Sequence, residues 1–291
     1  MPDDVLLGIT KVGMLAFVVA GMFAMGLKLT VASIVEPLKN ARLVILLLIA
    51  NFVVVPGIMV LVTKALPMDD STAPALILVA CCAGAPFLPT LAKLSKSDPA
   101  FAVGGMVLLM VVTVVYAPIV VPLLVSGAEV SAGDIASSLV VLMLIPLAVG
   151  LFIRARYAGS AANMAKPVNQ ISTVGLALGI VAGIIVNWSE IISSAGSWIF
   201  IGTLVLLAVG YGAGYLAGFG MSASDRRVTS FATAQRNISA ALVIAVSLDS
   251  EVIVRTLVAA LVIPIVLIWL AAELGKRAGG KSEATTEAVE A

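Results

Sequence analysis

The sequence predicts an all-α integral membrane fold, and three observations carry that prediction. Of its 291 residues, 61% are hydrophobic and 11% charged, with a mean hydropathy of +1.17. Soluble domains stand nearer half apolar and a quarter charged, so most of this chain's surface must face lipid. The apolar residues come in nine long stretches, each with about the 20 residues that cross a hydrocarbon core. Basic residues, finally, alternate from one connection to the next.

Read between charged or turn-forming clusters, the nine predicted spans are roughly 5–26, 42–63, 74–95, 100–124, 134–154, 169–187, 197–219, 228–248 and 252–273. The first follows Met1-Pro2-Asp3-Asp4, which lacks the basic region of a signal peptide, and is expected to be retained as a span. The second is bounded by Arg42, the third by Asp69-Asp70 and Lys96, and the fifth by Asp134 and Arg154. Lys166 precedes the sixth, Arg226-Arg227 and Asp249 flank the eighth, and Glu251 and Lys276 flank the ninth. Residues 1–275 thus form one transmembrane domain, and 276–291 form a polar cytoplasmic tail expected to be disordered.

The connections set an orientation. The odd-numbered loops and the C-terminal tail hold Lys28, Lys39, Arg42, Lys93, Lys96, Arg154, Arg156, Lys166, Arg226, Arg227, Lys276, Arg277 and Lys281, 13 of the 17 basic residues. The even loops and the N-terminus hold Asp3, Asp4, Asp69, Asp70, Glu129, Asp134, Glu190, Asp249 and Glu251. Cytoplasmic loops are enriched in Lys and Arg, so the N-terminus is expected outside and the C-terminus inside a cell membrane. A wrong span count would scramble the alternation.

Composition also excludes function classes. Net charge is +1, which gives nucleic-acid binding no electrostatic support. There is no histidine, and Cys81 and Cys82 are adjacent, which leaves no disulfide framework and no four-ligand metal site. An intramembrane enzyme needs a nucleophile–base pair or metal ligands. No acid lies deep in a span, and Lys11, near the outer end of the first, is placed to snorkel. No Gly-x-x-x-x-Gly-Lys-Ser/Thr loop occurs for ATP.

Two spans are unlike the others. The third contains Cys81-Cys82-Ala83-Gly84-Ala85-Pro86-Phe87-Leu88-Pro89-Thr90, and its two prolines and a glycine should break or kink it. Kinked helix packing is the plainer reading. The eighth contains Ser230-Phe231-Ala232-Thr233-Ala234-Gln235-Arg236-Asn237-Ile238-Ser239. Arg236 sits nine residues past Arg227 and thirteen before Asp249, near the bilayer middle. A central arginine costs roughly 2.5–3.5 kcal/mol on insertion scales. It therefore faces a cavity or a partner, or bonds the freed carbonyls of a neighbouring broken helix. These spans lie five apart and so cross in opposite directions, as interrupted helices of inverted repeats do around a transporter's binding site. Repeats of four and five helices give nine. The glycines Gly210, Gly212, Gly214, Gly218 and Gly220, and the ladder Gly175, Gly179 and Gly183, read as close helix packing.

Several motifs resemble the bile acid:sodium symporter family of the bile/arsenite/riboflavin transporter superfamily, over about residues 12–275. They are Met25-Gly26-Leu27-Lys28-Leu29, Cys81-Cys82-Ala83-Gly84 followed by Leu91-Ala92-Lys93 and Asp98, Ala117-Pro118 with Pro122-Leu123-Leu124, and Gln235-Arg236-Asn237 with Ala240-Ala241. The resemblance implies panel and core domains, two crossing broken helices in the core, and secondary transport of a small organic anion such as a bile acid or keto acid, most often with sodium. It also implies a lipid bilayer and a small anion as partners, with no ATP and no cofactor beyond a possible sodium ion. The departures fall on the sodium ligands. Leu88 and Pro89 stand where the family has a Ser-Asn pair, Ala232 where it has a glutamate, and Arg236 where it has a glutamine. Weak or absent sodium dependence is expected. The candidate substrate-binding residues are Arg236, Asn237, Gln235, Thr233, Pro86, Pro89 and Thr90, with Arg236 the expected anion contact. The alternatives are efflux of a metalloid oxyanion, for which Cys81 or Cys82 would supply a soft ligand, and a membrane receptor without transport.

Overall fold

The computed structural model describes residues 2–35, 39–125, 132–186, 188 and 197–290. Glu129 and Glu190, and the predicted end of the sixth span at 187, lie outside them. Among the described residues all regular structure is helical. In chain order the helices are α1 (Pro2–Lys28), a short α2 (Val31–Val35), α3 (Ala41–Ala65), α4 (Thr72–Cys81), α5 (Leu88–Leu94) and α6 (Pro99–Leu124). They continue with α7 (Ala132–Arg156), α8 (Ala158–Val186), α9 (Ile199–Ala217), α10 (Ala223–Ala234), α11 (Ile238–Ala245) and α12 (Ser250–Glu290).

Seven of these, α1, α3, α6, α7, α8, α9 and α12, are long and apolar enough to cross a membrane. The third and eighth predicted spans are instead two pairs of short helices, α4–α5 and α10–α11. Each half has at most 12 residues, too few to cross alone. Two further boundaries differ from the sequence reading. α8 starts at Ala158 rather than near 169, because Ala161 and Ala165, one turn apart, are buried against Leu27 at the end of α1. Hydropathy marks the lipid-facing part of a helix, not where its hydrogen bonds begin. The tail expected to be disordered continues α12 to Glu290. No proline follows Pro264, Ala and Glu favour helix, and Glu273 bonds Arg277 one turn on at 3.0 Å.

The surface is apolar where a water-soluble fold would be polar, around a core that is itself largely apolar. Leu61, Leu123, Phe152, Leu216 and Trp269 are exposed, while Asn51, Thr113, Thr233, Arg236 and Asn237 are buried. Glycines set the closest helix approaches. A methyl at Gly13 would meet Gly175 and Gly179 across α1–α8, and one at Gly26 would meet Leu151 and Gly150 across α1–α7. Gly210, Gly214 and Gly218 press α9 onto the backbone of α10, whereas Gly212 and Gly220 meet nothing within 4 Å. The packing reading therefore holds for three of those five.

Connections that the charge pattern assigns to one side meet one another. Arg227 Nε donates to Ser97 Oγ at 2.9 Å, and Asp98 N to Ser224 Oγ at 3.0 Å. At the other end Arg255 reaches Asp69 at 3.4 Å and Ser71 Oγ at 3.3 Å. Partial burial pushes the Asp69 carboxyl up, but hydrogen bonds from Ser71 and Thr72 and the charge of Arg255 outweigh it and hold it below the usual carboxylate value.

Candidate functional site

The first break follows from three residues. Pro86 has no N–H with which to prolong α4, and it biases Ala85 away from helix. Gly84 adopts φ +80°, a conformation open to glycine without a Cβ penalty. A methyl there would also overlap the backbone of Met110 on α6. Pro89 then sits in the first turn of α5, where its missing N–H costs nothing. From α6, Thr113 Oγ1 accepts from Ala83 N and donates to Ala83 O, both at 3.0 Å.

The second break contains neither proline nor glycine. Asn237 makes it: its Oδ1 caps α11 by accepting from Ala240 N at 3.1 Å. Its backbone N–H leaves α10 and donates to Cys82 O at 2.9 Å. Its Nδ2 donates to Gly84 O at 3.1 Å. One asparagine thus ends one helix, starts another and ties the two breaks together. The C-terminal ends of α4 and α10 meet here.

Arg236 lies at this junction and is fully buried. Each of its five N–H groups has an oxygen acceptor. Nε donates to Val79 O at 3.3 Å, and Nη1 to Asn51 Oδ1 at 2.9 Å and Thr233 O at 3.0 Å. Nη2 donates to Asn51 O at 3.5 Å and to Ala80 O. Val79 and Ala80 belong to the last turn of α4, and Thr233 to the last turn of α10. Asn51 belongs to a π-helical segment of α3, Ala50–Val54, in which Val55 N–H bonds Ala50 O. In that register the donor to Asn51 O would come from Pro56, which has none, so this carbonyl is released to Arg236. Beside it, Phe52 O accepts from the Tyr116 hydroxyl at 2.6 Å.

The predicted site residues separate into two groups. Thr233, Gln235, Arg236 and Asn237 come together, all buried, at the crossing. Thr233 Oγ1 accepts from Asn51 Nδ2 at 3.0 Å. Gln235 Oε1 has no hydrogen-bond partner. Pro86 and Pro89 are half-buried and Thr90 is exposed on α5, and none of the acceptors of Arg236 comes from that segment. Cys81 and Cys82 are free and buried among apolar neighbours. The sequence reading missed Asn51, Thr113 and Tyr116. The signal was there for Asn51: a lone carboxamide in the middle of an apolar span, five residues before a proline.

A model of the sodium bile acid symporter family matches residues 14–194, which takes in the first break and stops short of the second. An uncharacterized sodium-dependent transporter of Bacillus subtilis (strain 168) is 27% identical over 203 residues, covering 68% of this chain and 60% of that protein. A probable chloroplastic sodium/metabolite cotransporter of Arabidopsis thaliana is 26% identical over 196 residues, covering 67% of this chain and 45% of that protein. The matched part is under two thirds of either relative's own length. The chain belongs to the sodium bile acid symporter family and is a multi-pass membrane protein.

Proposed function

We propose that this family member is a secondary transporter that carries a small organic anion by alternating access, with the substrate held beside the crossing of α4–α5 and α10–α11. One observation carries the reading: two interrupted helices meet at their breaks, joined by Asn237 to Cys82 O and Gly84 O. Breaks of this kind, buried in protein, are where transporters place substrate. On this reading the seven continuous helices and the two broken ones make nine crossings, arranged as inverted repeats of four and five, with panel and core domains. Residues 1–275 are the transport domain and the remainder a cytoplasmic extension.

Thr233, Gln235 and Asn237, with Pro86, Pro89 and Thr90, frame the proposed site. Gln235 supplies unused hydrogen-bonding capacity there, since a carboxamide presents a donor or an acceptor by a half-turn of its end. Arg236 contributes by holding the frame, its donors all being engaged. Purified protein in proteoliposomes should show saturable counterflow of a small carboxylate drawn from a panel of bile-acid-like and keto acids. Flux no greater than in protein-free vesicles across the panel would end the carrier reading in favour of a non-transporting receptor. Counterflow of arsenite with none of any carboxylate would favour the metalloid alternative.

The same reading places the N-terminus outside a cell membrane and the C-terminus in the cytoplasm. In a background without Cys81 and Cys82, single cysteines near Asp69-Asp70 and near Arg226-Arg227 should label from opposite sides. Labelling from one side would overturn both the orientation and the nine crossings.

A further inference from the structure

We infer that Arg236 is a built-in monovalent cation, which occupies with a tethered charge the place between two half-helix ends where a dissociable ion would otherwise be bound. Three features support this. First, the guanidinium lies between the C-terminal turns of α4 and α10, bonded to Val79 O and Ala80 O on one and Thr233 O on the other. A helix C-terminus acts as roughly half a negative charge, so the two together offset about one positive charge. That balance explains how an arginine stays buried with no carboxylate among its hydrogen-bond acceptors.

Second, half-helix C-termini and unwound carbonyls are the groups with which transporters coordinate cations. Here every acceptor of the guanidinium is an oxygen, four backbone carbonyls and Asn51 Oδ1, as a hard monovalent cation requires. Third, the oxygens do not converge on one point, as a small bare ion needs. They are spread around a planar fork with N···O distances of 2.9–3.5 Å to different nitrogens, apart from the close Ala80 contact. The residues at the crossing therefore fit a guanidinium and do not fit sodium. Leu88, Pro89 and Ala232 bring no side-chain oxygen to the breaks in compensation.

The consequence, which rests on the carrier reading, is that the crossing is permanently loaded and substrate moves without sodium bound there. The test reads stability in the absence of substrate, so it stands or falls apart from that reading. Full-length protein in detergent is unfolded thermally in matched series of sodium chloride, choline chloride and low-millimolar guanidinium chloride. Wild type should respond alike to all three. Arg236→Ala should have a lowered midpoint that guanidinium restores in part and saturably, with sodium and choline without effect. Arg236→Lys, which keeps a tethered charge, should stay indifferent to sodium and serves if the alanine variant does not accumulate. A saturable, sodium-specific stabilisation of the wild type or of Arg236→Lys would overturn the inference. So would an alanine variant that folds and ignores guanidinium. If the cation results hold and no anion is transported, the carrier reading fails and the built-in cation remains.

Discussion

Arg236→Gln is expected to lose folded protein before it loses affinity for any substrate. Val79 O keeps a second donor in Cys82 N at 3.2 Å, but Ala80 O, Thr233 O and both oxygens of Asn51 depend on the guanidinium at the crossing. Glutamine is shorter and has two N–H groups, so at least two acceptors are left unsatisfied in the protein interior. Each unsatisfied buried group costs about 1–3 kcal/mol, which makes roughly 2–6 kcal/mol for the substitution. Removing a buried charge returns part of that cost. Arg236→Lys keeps the charge but has three donors and no planar fork, and should fall between. Thermal midpoints and yields of purified protein should therefore rank wild type, Lys, Gln. The competing view makes Arg236 a direct anion contact through a bidentate pair. A glutamine variant with an unchanged midpoint and lost substrate affinity would restore that view.

The sequence already showed why Arg236 matters but not what it touches. Its depth could be counted from Arg227 and Asp249, and its cost in lipid follows from its charge alone. Its partners are backbone carbonyls, and a carbonyl has no identity in a sequence. Which ones become free is decided by tertiary events: Gly84 turning against Met110, Asn237 diverting its N–H to Cys82, and α3 widening into a π turn before Pro56. Among these, only Gly84 and Pro56 are local signals. The same distinction runs through the fold. The seven continuous helices follow from apolar runs and differ from the expected spans mainly where polar turns extend a helix past the lipid, as α8 does at Ala161 and Ala165. Arg255 stands four residues past Glu251, the spacing of a helical pair, and the structure gives it a partner 186 residues away, Asp69, which no periodicity could indicate. With its carboxylate largely open to solvent, a pair of this kind contributes about 1 kcal/mol or less, and it secures a loop rather than the site.

Asn237 should prove the second critical residue, because it does two separable jobs with one side chain. Its Oδ1 caps α11 through Ala240 N, and its Nδ2 binds Gly84 O across the crossing. Asn237→Ala removes both. The lost cap costs about 0.5–2 kcal/mol, and an unpaired Gly84 carbonyl about 1–3 kcal/mol more, though neighbouring effects of this kind need not add. Asn237→Ser keeps an oxygen able to cap but has no second group for Gly84. Stability should rank wild type, Ser, Ala, while anion flux in proteoliposomes should collapse in both variants. The reason is geometric: Asn237 N still reaches Cys82, but without the amide to Gly84 the two breaks can slide past each other, and the site between them loses its frame. A serine variant that transports like the wild type would detach function from the crossing bond and leave Asn237 only its role as a helix cap.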